Sequence, residues 1–271
     1  MGKDQGLSDE RSRMLRVAVM CSRRAPGLVS LLDRDARRGI DYEIVCCLTS
    51  SDEFEGRLEL DLREIPCITH SIRSFCRRRG ARLGDLDVRA EYDEKALEWL
   101  FVFEPDAIVL DGYLLLLTTP FLDAFANRII NIHHSDLYQR TAEGAPKYPG
   151  LRAVRDALVA GERETRASAH VVTPALDDGP VLLRSWPFHV PPGAVWARRE
   201  GARDVLKAYA WAHQEWMLRS AWEPMLARSI ELAARTAQVG TLDLRAAGEW
   251  ELTEGGMLLP AVLTGAGTLA S

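Results

Sequence analysis

Short apolar runs alternate with amphipathic segments along the first two thirds of the chain, and the spacing of those runs predicts its elements. Residues 16–21 are apolar and partly β-branched, which predicts a strand, and Pro26-Gly27 marks a turn before a helix over Leu28-Val29-Ser30-Leu31-Leu32. Residues 42–49 repeat the strand pattern and 66–72 offer a third strand. Between 91 and 103, Ala96, Leu97, Leu100 and Phe101 recur at helical spacing. A strand at 106–110 follows, then a helix entered through Thr118-Thr119-Pro120 and running to about Asn127, then a strand over 128–133. Gly144, Pro146, Pro149 and Gly150 mark a loop ahead of a helix at 151–160. Two short strands are expected at 169–173 and 181–186, with Asp177 in the turn between them.

The C-terminal third reads differently. Residues 194–236 form one long helical pattern, broken into two or three pieces, that carries Trp196, Tyr209, Trp211, Trp216 and Trp222. Such an aromatic stripe predicts core packing. Past 239 the glycines and short apolar runs suggest a small appended β element or a loosely packed tail. The division expected is therefore a flexible N-terminus at 1–13, a catalytic domain at 14–192, helices packed on it at 193–238, and the appended element at 239–271. Strand and helix in alternation imply right-handed crossovers, hence an α/β fold with a mostly parallel sheet and helices on both faces. Open sheets of this kind bind ligands beyond the carboxyl ends of their strands.

Composition narrows the class. A chain of 271 residues that is 47% hydrophobic can bury a full core, and a net charge of -5 gives no broad footprint for nucleic acid or an anionic membrane surface. The five cysteines (Cys21, Cys46, Cys47, Cys67, Cys76) are odd in number, lack CxxC spacing and fall in or beside apolar runs, so reduced core thiols and a cytoplasmic location are expected. The polar start has no apolar signal region and no stretch is long enough to span a membrane.

Candidate chemistry gathers at one strand end. In Arg128-Ile129-Ile130-Asn131-Ile132-His133 the amide and the imidazole lie two residues apart and so face the same side of a strand. Buried polar groups cost free energy without a partner or a task. Asp177 follows 44 residues after His133, in Leu176-Asp177-Asp178-Gly179-Pro180, where an aspartate can also serve simply as a turn residue. His170 sits among apolar neighbours and reads as a packed, supporting histidine. His134 faces away from His133, so the pair makes a poor metal site, and nothing here has metal-ligand spacing.

Four segments in order carry a family likeness: Pro105 to Tyr113 (Pro-Asp-Ala-Ile-Val-Leu-Asp-Gly-Tyr), Asn131-Ile132-His133, Lys147-Tyr148-Pro149-Gly150-Leu151, and Ser168 to Thr173 running into Leu176 to Val181. Through them, residues from Met14 to about Trp222 resemble the folate-dependent formyltransferases, and among these most closely the glycinamide ribonucleotide formyltransferases of purine biosynthesis. The resemblance implies a Rossmann-like formyltransferase fold with 10-formyltetrahydrofolate as co-substrate and no metal. It also implies catalytic roles for Asn131, His133 and Asp177. Tyr113, Leu114, Leu115, Leu117, Val172 and Asp178 would contact the folate, while Arg23, Arg24, Gly27 and His170 would serve the acceptor. Expected partners are the folate and a small-molecule amine, with neither nucleic acid nor membrane involved, in a monomer or homodimer.

Departures from the family bear on the acceptor. Where those enzymes carry a Gly-Asn-Gly-Ser-Asn loop whose amides cradle a phosphate, this chain has Arg23-Arg24-Ala25-Pro26-Gly27. The two arginines either grip the phosphate in bidentate fashion or lie on a solvated face. His134 replaces a proline, residues 138–145 look inserted, and Leu115 stands where relatives place an arginine. Glycinamide ribonucleotide is the expected acceptor. The alternatives are a different amine such as an amino sugar nucleotide, water as in formyltetrahydrofolate deformylase, or binding without catalysis. Deformylases usually carry an N-terminal regulatory domain, and the 13 residues before the first strand do not supply one, which ranks hydrolysis lower.

Overall fold

The computed structural model of the protein describes residues 14–33, 41–238 and 242–261, so the expected N-terminal arm at 1–13 and part of the expected tail lie outside the described residues. The apolar runs of the first half are strands β1 (Leu15–Cys21), β2 (Tyr42–Thr49), β3 (Cys67–Thr69), β4 (Ala107–Leu110) and β5 (Ile129–His133), all parallel. They alternate with α1 (Pro26–Asp33), α2 (Arg57–Asp61), α3 (Ile72–Arg78), α4 (Leu86–Phe101) and α5 (Thr119–Ala124). Beyond these come α6 (Ala153–Ala160), β6 (Glu164–Thr165), β7 (Ser168–Val171), β8 (Val181–Arg184), β9 (Phe188–His189), α7 (Pro192–Arg199) and α8 (Arg203–Ala237). A 3-10 turn (Leu244–Ala247) and the pair β10 (Trp250–Leu252) and β11 (Leu258–Pro260) end the described chain.

Among the described residues the main sheet has nine strands in the order β11-β10-β8-β7-β5-β4-β1-β2-β3, and β6 pairs with β9 in a separate ribbon. The mostly parallel α/β architecture is thus as expected, with the direction reversed at β7 and at β11. Two core clusters cover the two faces. One joins α1, α6 and α8 to Val17, Val19, Val109, Ile130 and Ile132, and the other joins α4 and α5 to Ala18, Met20, Ile108, Leu110 and Ile129. The alternation of β1 residues between the clusters is the two-residue period of a strand buried on both sides.

Several boundaries differ from the sequence reading. The run at 66–72 contains only the short β3, because Ser71 accepts a hydrogen bond from the Ser74 amide and caps α3. Helix α4 begins at Leu86, earlier than the apolar spacing suggests, since Asp85 caps it through the Val88 amide. The long C-terminal pattern, by contrast, is broken as expected, into two helices parted at Gly201, whose φ of +66° suits glycine. Helix α8 then runs 35 residues through Pro224. The missing N–H of an interior proline costs about 3 kcal/mol, and burial of Ala221, Trp222, Met225 and Leu226 around it offsets that cost.

The aromatic stripe is only partly core. Trp222 is 2% exposed, whereas Trp196 and Trp211 are 56% and 69% exposed and stand on the outer faces of α7 and α8. The appended β element is not separate either, for β10 continues the main sheet by pairing in parallel with β8. The cysteines are free, four of them buried, with Cys21 and Cys47 sulfurs 3.7 Å apart. No helix among the described residues is long and apolar enough to cross a membrane.

Three buried histidines contribute to how the fold answers to acid. Burial, the largest influence on each, lowers the pKa of His70, His170 and His213 to about 4. His70 stacks on Tyr92, and His213 bonds the Thr165 hydroxyl at 2.7 Å. Unfolded, each ring takes a proton near pH 6.5, so between about 4 and 6.5 the unfolded chain binds more protons. Their contribution is full above about pH 6.5 and falls as the pH drops toward 4, by on the order of 3 kcal/mol for each ring. Thermal unfolding followed by circular dichroism should show a marked drop in Tm between about pH 7.5 and about pH 5, reduced in a His213→Gln variant. A level Tm across that window would contradict neutral burial of these rings.

Candidate active site

Strands β5 and β7 are antiparallel, and their register sets Asn131 opposite His170 and His133 opposite Ser168. Across this pair Asn131 Nδ2 lies 3.1 Å from His170 Nε2. His170 Nδ1 is 3.1 Å from the Val171 carbonyl oxygen, which can only accept, so Nδ1 carries the ring hydrogen and Nε2 the lone pair. The Asn131 amide therefore donates to His170. That bond fixes the orientation of the amide and uses one of its two hydrogens. The supporting role read for His170 in the sequence thus has a geometry: it is a positioning partner of Asn131.

His133 and Asp177 meet from separate elements. His133 Nε2 is 3.5 Å from Asp177 Oδ2 and 3.2 Å from the Tyr148 carbonyl oxygen, and His133 and Asp177 are both buried. The same Asp177 oxygen accepts the Gly150 N–H at 2.7 Å. The segment Tyr148-Pro149-Gly150 therefore holds the imidazole with a carbonyl and the carboxylate with an amide. With its hydrogen on Nε2, a neutral His133 keeps a lone pair on Nδ1. Asp177 Oδ1 also lies 3.7 Å from His170 Nε2. Since that nitrogen is unprotonated and already accepts from Asn131, the contact is not an ion pair.

The turn from β7 to β8 delivers the carboxylate. Asp177 has φ +51°, in the left-handed region that aspartate tolerates better than most residues. Gly179 closes the turn against β7 so tightly that a Cβ there would meet the Val171 carbonyl oxygen at 1.7 Å. The neighbouring Asp178 points elsewhere and is ion-paired with Arg140 of the inserted-looking loop. That loop is a small hairpin in which the Thr141 amide bonds the Ala145 carbonyl and the Lys147 amide bonds the Gln139 carbonyl.

The residues expected to touch a folate divide into two groups. Leu115, Leu117 and Val172 are half-buried against the α4–α5 core, and Leu114 is 57% exposed on the loop after β4. With exposed Leu116 and Leu176 they give apolar surface on the two loops that flank β5. Tyr113 is different, since its ring is buried within that core.

The acceptor-side expectations also need revision in detail. Arg24 is engaged by Glu215 at 2.9 and 3.3 Å, and Arg23 by Glu55 at 3.0 Å, so neither is simply a solvated cation. Gly27 is held tightly, with Leu226 Cδ2 3.0 Å from where its Cβ would be. Its amide and that of Leu28 point to the fully buried Asp111 carboxylate, at 3.4 and 2.8 Å. Burial pushes the Asp111 pKa up to about 6, opposed by the Leu28 and Gly27 amides and the nearby Trp222 indole. His134 stacks on Trp222 with centroids 4.0 Å apart, and burial lowers its pKa to about 3. The sequence reading passed over Asp111, although a lone acid closing the apolar strand Ala-Ile-Val-Leu was the available signal.

Among the described residues no three His, Cys, Asp or Glu side chains are grouped to hold a metal ion. The arrangement offers an amide hydrogen, an imidazole that can give or take a proton, and a carboxylate beside it. That set suits attack on a carbonyl carbon, in which an oxyanion must be stabilised and protons moved.

Comparison with known proteins places this geometry. A family model described as formyl transferase matches residues 15–192. The phosphoribosylglycinamide formyltransferase of Escherichia coli K12 is 39% identical over 99 residues, covering 36% of this chain and 43% of that protein. The formyltetrahydrofolate deformylase of the same strain is 28% identical over 169 residues, covering 62% of this chain and 52% of that protein. Less than two thirds of the length of these relatives is matched. Among solved structures, phosphoribosylglycinamide formyltransferase from Brucella melitensis aligns at 27% identity and TM-score 0.54, over 76% of this chain and 93% of that one. The enzyme of that name from Anaplasma phagocytophilum shares the fold at TM-score 0.59 and 22% identity, over 94% and 96% of the two chains.

Gly179→Ala should disrupt the turn that carries Asp177, because the clash is with backbone, and should cost on the order of 3 kcal/mol or more. Gly144→Ala, at φ +84° with open space around it, should cost about 1–2 kcal/mol. Urea unfolding of both variants checks this, and equal losses would show that Gly179 is not packed as described.

Proposed function

The chain belongs to the formyl transferase family, and from that membership we propose that it transfers a formyl group from 10-formyltetrahydrofolate to a primary amine. The observation that carries the reading is the convergence of Asn131, His133 and Asp177 at the end of β5, with the His133 and Asp177 side chains 3.5 Å apart. When the amine attacks the formyl carbon, the carbonyl oxygen becomes an oxyanion. The unspent Asn131 N–H and a protonated His133 are the donors for it. Asp177, beside the ring, can take the proton that the attacking ammonium sheds, directly or through a water. Collapse of the intermediate breaks the bond to the folate nitrogen, which leaves with a proton.

The folate would lie along Leu114, Leu115, Leu117 and Val172, whose apolar surface suits a flat heteroaromatic ring. Tyr113 would support that wall from the core, and Asp178 would reach it only by releasing Arg140. No bound metal is needed for this sequence of steps, since the charge that develops is met by hydrogen-bond donors. Glycinamide ribonucleotide, the acceptor implied by the names of several relatives, is the reference acceptor for the assay. A second reading follows from the deformylase relatives: the same three side chains would serve water as nucleophile, releasing formate.

Purified protein supplied with 10-formyltetrahydrofolate and a primary amine should release tetrahydrofolate and formylated amine in equal amounts. Asn131→Ala, His133→Ala and Asp177→Asn should each lower kcat/KM by about a hundredfold or more. Turnover that survives all three changes would remove the assignment. Tetrahydrofolate and formate appearing at the same rate without any amine would favour the hydrolytic reading.

A further inference from the structure

We propose that the amine acceptor of this enzyme carries no phosphate at the end that lies toward α1, because the protein fills that anion-binding position with its own Asp111 carboxylate. This rests on the formyl-transfer reading above for the identity of the reaction, but its structural basis is separate. The strand order β3-β2-β1-β4-β5 reverses direction of progress between β1 and β4. In an open sheet the crevice at such a reversal, beyond the strand ends, is where ligands enter. The N-terminus of the helix after the first strand supplies the amides and partial positive charge that receive an anionic group there.

The backbone donors of residues 27–29 at that helix end are already committed. Pro26, its first residue, has no N–H. The Gly27 and Leu28 amides bond the two oxygens of Asp111 at 3.4 and 2.8 Å, and the Val29 amide bonds the Ala25 carbonyl at 3.1 Å. Asp111 comes from the end of β4, the other wall of the crevice, and is 0% exposed. The backbone is also closed, for a Cβ at Gly112 would meet the Arg24 carbonyl oxygen at 2.8 Å.

Charge at the mouth points the same way. Arg23 lies 3.0 and 4.0 Å from Glu55 and Glu53, and Arg24 holds Glu215 at 2.9 Å while Glu55 is 3.9 Å from it. Arg23 and Arg24 are thus each met by carboxylates within 4.0 Å, Glu215 also lying in the field of Arg219, and Asp111 is buried at the helix end. A phosphate entering here would have to displace Glu215 and sit near a desolvated carboxylate whose field water does not screen. A neutral or cationic acceptor meets no such opposition.

The test compares two acceptors that differ only in the phosphate: glycinamide ribonucleotide and its dephosphorylated nucleoside, with 10-formyltetrahydrofolate as donor. Removing the phosphate should leave kcat/KM within about threefold or raise it. A fall of more than about thirtyfold on removal would overturn the proposal. Asp111→Asn keeps an oxygen acceptor for the Leu28 amide but deletes the charge, and should shift the ratio toward the phosphorylated acceptor. An unchanged ratio would take the role away from Asp111. Calorimetric titration of the wild-type protein with inorganic phosphate at constant ionic strength is independent of turnover. It should show no saturable binding below about 10 mM, and tighter saturable binding would count against the proposal. If no amine is formylated at all, the formyl-transfer reading fails, and the calorimetry still decides the question of the anion position.

Discussion

One reversed strand, β7, antiparallel to both its neighbours, organises the site. Because β7 runs against β5, residue 170 comes to lie directly opposite residue 131; the chain leaves β7 beside the start of β5, and the turn then folds back to bring Asp177 within 3.5 Å of His133. The reversal keeps β7 paired to a strand on each side, with a register shift between Ala169 and His170 on the β8 side. It gives three polar groups a shared position over the middle of the sheet, where β5 and β7 are both flanked by other strands.

That position is stable only because the backbone satisfies it. Tyr148 contributes a carbonyl to His133 and Gly150 an amide to Asp177, so the two ionisable side chains are held by groups that cannot titrate or rotate away. His170 is held in the same manner by the Val171 carbonyl, and its burial keeps it neutral. A neutral ring that can only accept at Nε2 is a reliable clamp for an amide, because the amide cannot flip without losing its bond. The order of the site is thus built from second partners, and its reactive atoms are free to meet a substrate.

On the acceptor side the same economy takes another form. An α-helix N-terminus buried at a strand-order reversal needs an acceptor, and this chain supplies one covalently, from β4. The consequence reaches α8, whose Leu226 closes over Gly27 and whose Trp222 and Glu215 sit beside Asp111 and Arg24. The C-terminal helices therefore help to shape the crevice, in addition to burying one face of the sheet.

The alternation of strands and helices, the strand carrying Asn131 and His133, and the turn carrying Asp177 were all legible in the sequence, because hydrophobic period and turn chemistry are local properties. Family likeness added the roles of those three residues as expectations. Short elements such as α2 and α3 were not legible, since a cap at Ser71 outweighs the apolar run around it. Nor was the single span of α8 through Pro224, where burial overrides propensity. The sequence left Arg23 and Arg24 open between a phosphate and solvent, and only the folded chain brought Glu215, 191 residues away, onto Arg24. It likewise took the tertiary structure to set Asp111 under α1, Tyr148 and Gly150 around His133 and Asp177, and His170 on Asn131. Those contacts join residues far apart in the chain, and their existence depends on strand order and register, which no local pattern encodes.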